Sequence, residues 1–342
     1  MQYVNLGRTG LKVSRIAFGC SSYGSTDWMP WALPPSEALP FYKAALEAGI
    51  NFFDNADSYS TGLAETIQGD VFKELGVDRE RVVIATKVFG AMGPDVNQRG
   101  LSRKHIRHAV EASLRRLKTD YIDLYQIHRL DPTTPPEELL EALHGLVREG
   151  KVLHIGASSM YAWQFAKLQA LAEQNGLTKF VTMQNRYNLL YREEEREMIP
   201  LCLDQGVGVI PYSPLARGLL TGSRRRGTKR SEVVKDFARP EDEAVVDRVL
   251  EVAEARGAPA AQVALAWLLS RPGVTAPIVG ATKLNHISDA VTALDVVLTP
   301  EEIARLEEPY VAQPPQFGRE TVPSHNAASR VAIAAALGRA ED

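Results

Sequence analysis

Eight short apolar runs recur along this chain, each followed by a stretch with helical periodicity, and that alternation leaves few folds open. The runs are Ile16–Gly19, Asn51–Asp54, Arg81–Lys87, Tyr121–His128, Leu153–Ala157, Phe180–Gln184, Val207–Tyr212 and Pro277–Gly280. A helix between two strands returns the chain so that the strands lie parallel, and eight such units point to a closed (β/α)8 TIM barrel of the α/β class. The alternative is an open doubly wound sheet, but no G-x-G-x-x-G follows the first run. Ahead of the barrel, Tyr3–Leu6 and Lys12–Arg15 read as a β-hairpin turning through Gly7-Arg8-Thr9-Gly10.

The helical stretches carry their own signals. Ile106, Val110, Leu114 and Leu117 lie on one apolar face of the third. Thr134, Pro135 and Glu137 predict a capping-box start with proline at the first helical position. Pro259 opens a run containing Val263, Trp267 and Leu268 that stops before Arg271-Pro272-Gly273. Between the seventh and eighth strands the chain is longer, with a basic loop at Ser223–Arg230 and an extra helix expected near Glu243–Arg256. We expect one barrel domain over residues 1–311 and a tail over 312–342, in which Ala327–Leu337 reads as an alanine-rich helix.

A length of 342 residues is ordinary for such a barrel. The formal charge of -3 makes no electrostatic case for nucleic acid or an anionic membrane. Charge or Gly/Pro breaks every long apolar run, and Met1–Gly10 lacks the basic and apolar regions of a secretory leader. Cys20 and Cys202 form no metal-ligand spacing; two lone thiols suit a reducing cytosol, and no metal site is expected. These observations predict a cytoplasmic protein.

Asp54 ends the second run, Tyr59 lies just past it, Lys87 ends the third and His128 ends the fourth. Barrel enzymes place their catalytic groups at this end of the strands. Any one of the four has an ordinary explanation: a loop cap, a half-buried aromatic, a lysine leaving the sheet, a structural histidine. Together they form a chemical unit. A free phenol has a pKa of about 10, too high for an efficient general acid near neutrality. A lysine ammonium beside it favours the phenolate, a carboxylate keeps that lysine charged, and a histidine can hydrogen-bond the phenol.

This pattern resembles the tetrad of the aldo-keto reductases, carbonyl reductases built on a (β/α)8 barrel, over Tyr3 to about Tyr310. The resemblance is nearest to the bacterial branch that is also related to the potassium-channel β-subunits. It implies NADPH as cofactor, with NADH as the alternative, a small-molecule carbonyl substrate and proton donation by Tyr59, and it leaves room for a homo-oligomer. In cofactor binding it implies Gly19, Ser21 and Asp54; Ser158 and Ser159 of Gly156-Ala157-Ser158-Ser159, which is similar to the family's G-x-S-N; and Gln184 as an amide-binding glutamine. It further implies Tyr212 as the ring on which nicotinamide stacks, within a Y-S-P-L-x-x-G run that adds Ser213, Pro214, Leu215, Arg217 and Gly218. After the eighth strand, Gly280, Thr282, His286 and Asp289 fall in the segment that holds the adenosine phosphate. Many NADP-preferring relatives carry arginine where His286 stands and asparagine where Ala290 stands. Arg224, Arg225, Arg226, Lys229 and Arg230 are a solvated loop or a cover for the pyrophosphate.

Trp28, Met29, Trp31 and Phe89 line an apolar substrate pocket or else pin down a loop, and Arg129 meets an anionic substrate or pairs with Asp131. Two rival readings remain open at this level. Lys87 alone is compatible with a Schiff-base aldolase, although a neighbouring Asp54 favours the charged, non-nucleophilic amine. The chain could also be a cofactor-binding redox sensor with slow turnover.

Overall fold

The computed structural model describes residues 1–222 and 239–315. Strands β1 (Tyr3–Asn5) and β2 (Lys12–Ser14) pair antiparallel as the hairpin. The next eight are β3 (Ala17–Gly19), β4 (Phe52–Asp54), β5 (Val83–Val88), β6 (Ile122–Ile127), β7 (Val152–Ser158), β8 (Thr182–Gln184), β9 (Gly208–Val209) and β10 (Ile278–Val279). Together they make an eight-stranded parallel sheet in which β3 to β9 pair in chain order and β10 pairs with β3. Between β9 and β10 the ring is drawn together by the Thr275 amide on the Val209 carbonyl at 2.8 Å and the Ile278 amide on the Pro211 carbonyl at 2.8 Å. The eight runs read from the sequence are the eight barrel strands. The seventh is shorter than its apolar run, because Pro211 has no amide proton to donate and Tyr212 joins Arg186 only as an isolated bridge.

Helices α1 (Pro35–Glu47), α2 (Leu63–Glu74), α3 (Arg103–Leu117), α4 (Pro136–Arg148), α5 (Ala162–Gln174) and α6 (Met198–Gln205) connect successive strands. They are followed by α7 (Asp242–Arg256), α8 (Ala260–Leu269), α9 (Asn285–Thr292) and α10 (Pro300–Glu307). The expected apolar face of α3 is buried, and α7 is the extra helix expected in the long connection. The start of α4 differs from the expected capping box. Pro135 is the N-cap and makes no side-chain cap, since Thr134 Oγ1 donates instead to Asp131 Oδ2 at 2.8 Å. Proline does stand at the first helical position, but it is Pro136.

Two apolar layers hold the barrel. Outside, strand residues such as Phe53, Ile84, Tyr125 and Ile155 pack on the inward faces of the helices. Inside, Ala17, Phe52, Val83, Ala85, Leu124, Ile210 and Ala276 form a second cluster, plugged at the N-terminal end by Leu6 and Val13 of the hairpin. Gly7 makes this plug fit: with a φ of 57° it runs so close to β8 and β9 that a Cβ there would stand 2.6 Å from the Val181 carbonyl oxygen. With that end plugged, access falls at the C-terminal ends of the strands. The basic loop Ser223–Arg230 and the Ala327–Leu337 segment lie outside the described residues.

Candidate functional site

Asp54 ends β4, Lys87 lies one residue before the end of β5, and His128 follows β6, so the barrel register brings three distant stretches to one mouth. Tyr59 reaches the same place through a tight turn in which Ser60 and Thr61 adopt left-handed φ values of 49° and 53°. Ser60 Oγ fixes that turn by accepting from the Ser25 amide at 3.0 Å. A side chain at Gly24 would not fit, since its Cβ would stand 2.0 Å from Ser60 Oγ.

Lys87 is fully buried and its ammonium donates three ways: to Asp54 Oδ2 at 2.7 Å, to the Asn55 carbonyl at 2.7 Å and to Tyr59 Oη at 3.3 Å. Burial pushes Lys87 toward the neutral amine, but Asp54 and Tyr59 outweigh it and the group sits above the ordinary lysine range. For Tyr59, burial is the largest influence and raises the phenol; Lys87 pulls it back without cancelling the rise. The expectation that lysine favours the phenolate therefore holds in direction, while the net result is a phenol that keeps its proton. His128 is driven well below the usual histidine range by burial and by the positive charges of Lys87 and Arg129, so it is a neutral imidazole. Its ring meets that of Tyr59 edge-on at 5.8 Å, and its Nδ1 lies 3.5 Å from Ser58 Oγ.

Sequence reasoning missed Gln126, which lies on β6 two residues before His128 and is buried in the barrel interior. Its amide donates to Asp54 Oδ1 at 3.0 Å, and the Gln184 amide donates to the same oxygen at 2.9 Å and to Gln126 Oε1 at 3.2 Å. A polar residue in an otherwise apolar strand was the available signal, obscured by the stronger histidine after it. Ser58 and Asn55 were missed as well; Asn55 contributes through its backbone carbonyl, which no side-chain pattern reveals.

The residues expected around a cofactor fall into two groups. At the first, Ser158 Oγ donates to the Gln184 carbonyl at 2.8 Å, and Ser159, with a φ of 42°, places its hydroxyl 3.4 Å from Tyr212 Oη. Beyond Tyr212 the chain turns through Ser213 (φ 52°), Ala216 (φ 47°), Arg217 (φ 58°) and Gly218 (φ 95°), with Pro214 buried and Leu215 half-buried. At the second, Gly19 and Gly280 face each other across the β3–β10 seam beside the turn holding Ser21. A Cβ on Gly280 would stand 2.7 Å from Ser22 Oγ. The Thr282 amide donates to His286 Nδ1 at 3.3 Å, which folds that loop onto the first turn of α9. Asp289 is taken up by Gln262 at 3.1 Å and Asn285 at 3.2 Å, a tie between α8 and α9.

Of the substrate-pocket candidates, the Trp28 ring lies 5.8 Å from that of Tyr59, while Trp31 and Phe89 are half-buried. Arg129 does not pair with Asp131. That carboxylate accepts from Leu101, Thr133 and Thr134, while the Arg129 guanidinium donates to the His128 carbonyl at 3.1 Å. Among the described residues no group of side chains could hold a metal ion, and no helix is long and apolar enough to cross a membrane.

An eight-stranded barrel with a buried Asp-Lys pair against a tyrosine at its mouth is the setting of a carbonyl-reducing oxidoreductase, and comparison with known proteins agrees. Residues 15–310 match the Aldo/keto reductase family. The chain belongs to that family, whose members use NAD(P)H, and is an oxidoreductase. It is 47% identical to the versiconal hemiacetal acetate reductase of Aspergillus parasiticus, over 91% of this chain and 97% of that one. It is 44% identical to the aldo-keto reductase dtxS3 of Metarhizium robertsii, over 92% of each. It is 43% identical to a Schizosaccharomyces pombe protein provisionally named as an aryl-alcohol dehydrogenase, over 92% of this chain and 97% of that one. These relatives are fungal and yeast enzymes by name, and they lend no support to the expected affinity with bacterial, channel-subunit-related members.

Proposed function

We propose that this chain catalyses the reversible reduction of an aldehyde or ketone to an alcohol with NADPH, Tyr59 acting as proton donor. The reading rests chiefly on one observation: the Lys87 ammonium, fixed by Asp54 at 2.7 Å, lies 3.3 Å from Tyr59 Oη at the open end of the barrel. The residues present suit a nicotinamide dinucleotide. Side-chain space is withheld at Gly280, and Gln184 Oε1 accepts no hydrogen bond among the described residues, leaving an acceptor for a carboxamide. Ser158, Ser159 and Gln184 would hold that carboxamide, and Tyr212 would lie against the ring.

A reduced nicotinamide bound there supplies the hydride. Tyr59 holds a proton in the resting site and gives it to the carbonyl oxygen as negative charge develops. The phenolate so formed is stabilised by the adjacent Lys87, whose charge Asp54 secures. Neutral His128 can only offer a hydrogen bond, so it orients the carbonyl instead of protonating it. The same groups serve alcohol oxidation in reverse. Trp28 beside Tyr59, and the aryl-alcohol name of one relative, favour an aromatic carbonyl compound. Lys87 as a Schiff-base nucleophile is disfavoured, because its charge is held by three acceptors.

The test is initial-rate oxidation of NADPH and of NADH with an aromatic aldehyde, comparing the wild type with Tyr59→Phe. Loss of ~100-fold or more in kcat with dinucleotide binding retained is expected. Equal rates in both proteins would sink the tyrosine mechanism. Binding without turnover across a broad carbonyl panel would favour a redox-sensing role.

A further inference from the structure

Gln126 contributes to no step above, yet it is fully buried beside the reacting groups and hydrogen-bonded to two of the site's side chains. A polar amide inside a barrel core is costly unless its bonds are specific, and here they are directional. Asp54 is paired with the Lys87 ammonium, and an ionised carboxylate can only accept. The amide nitrogens of both Gln126 and Gln184 must therefore face Asp54 Oδ1, at 3.0 Å and 2.9 Å. With its nitrogen so placed, Gln126 turns its Oε1 toward Gln184 and accepts the second amide proton at 3.2 Å. Both N–H groups of Gln184 are then consumed inside the protein. What it can present to a ligand is the carbonyl oxygen alone.

We propose that Gln126 is a positioning residue that fixes the amide flip of Gln184, so that Gln184 Oε1 accepts a hydrogen bond from the carboxamide NH2 of the nicotinamide. The inference rests on the reductase reading. It adds a residue and a polarity: the dinucleotide must donate at this point, and an analogue lacking that donor is selected against. Remove the Gln126 acceptor, and the Gln184 amide loses one of the two bonds that orient it. Its NH2 can then turn outward, and donor and non-donor rings become nearly equivalent. One end of this amide chain is Asp54, so a single set of hydrogen bonds orients both the carboxylate that secures Lys87 and the acceptor offered to the ring.

The test is equilibrium binding, by quenching of tryptophan fluorescence, of oxidised NADP and of its 3-acetylpyridine analogue, in which a methyl group replaces the carboxamide NH2. The wild type should bind NADP about tenfold more tightly than the analogue, as expected for one well-made hydrogen bond. In Gln126→Leu that preference should shrink to about threefold or less, mainly through weaker NADP binding. Gln126→Glu provides the rescue and guards against misfolding of the leucine variant. A protonated carboxyl introduced at this position can donate to Asp54 and accept from Gln184, whereas two ionised carboxylates repel. Burial and that repulsion keep the introduced carboxyl protonated, so the variant's preference should be near wild type, with the dinucleotide phosphates common to both ligands and cancelling in the ratio. A preference that is equal in wild type and Gln126→Leu, or absent in wild type, overturns the proposal, as does loss of the preference in Gln126→Glu. Failure of wild type to bind either dinucleotide would instead overturn the reductase reading on which it stands.

Discussion

Asp54 accepts hydrogen bonds from side chains on three other strands, and this fixes what its loss should do. Asp54→Ala leaves the Lys87 ammonium buried with only a backbone carbonyl and a phenol for company. An uncompensated buried charge costs ~3–5 kcal/mol, and urea denaturation should show a loss of that order, with reductase activity falling as well. Asp57 poses the opposite case. Its carboxyl oxygens are buried with no hydrogen-bond partner among the described residues, and burial, reinforced by Glu65, pushes the group well above the usual carboxylate range. The folded protein therefore keeps a proton there that the unfolded chain releases above about pH 4, so the group opposes folding increasingly as pH rises through that window. Asp57→Asn is expected to raise Tm by ~2 °C or more at pH 8 and to lose that advantage near pH 4. An unchanged Tm at pH 8 would show that Asp57 has found a partner, such as a buried water.

Helices α2 and α3 meet where Gly69 faces the end of α3, and a Cβ there would stand 2.4 Å from the Arg116 carbonyl oxygen. Backbone cannot yield as a side chain can, so Gly69→Ala should cost ~1–3 kcal/mol in chemical denaturation by forcing the helices apart. The same contact carries the ion pair of buried Glu65 with half-buried Arg116 at 2.7 Å. At this scale the sequence was readable where local patterns spoke: the buried face of α3 follows from its apolar spacing, and α7 lies where an extra helix was expected. It misled where two local signals competed. Thr134 has the chemistry of a cap but is claimed by Asp131, and the second of two prolines, Pro136, opens α4. Contacts such as Gly69 against Arg116 cannot be read from either helix alone, since each supplies only half of the approach.

Over the whole barrel, the tetrad was legible because strand ends are marked in the sequence and this fold gathers them at one mouth. Gln126 was not, since its significance depends on the register that sets it against Asp54 and Gln184. The histidines shape the acid response. His105, His128 and His154 are all held below the usual range, burial being the main cause in each. Below about pH 6.5 the unfolded chain takes up protons that the folded one refuses, so these groups make stability fall on acidification. Asp57 acts in the opposite sense over the same range, so the check is a difference: from about pH 7.5 down to about 5.5, the Tm of His105→Leu should fall less, or rise more, than that of the wild type. A barrel is also a ring that must be shut. β3 is an open edge until β10 reaches it, and Arg15, just before β3, hydrogen-bonds the carbonyls of Leu269 and Val274. On the ribosome the first barrel strand therefore waits for nearly the last part of the chain before its backbone is satisfied. A nascent chain stalled short of Val279 presents an unpaired edge on β3, opposite β4, that a holding chaperone must cover.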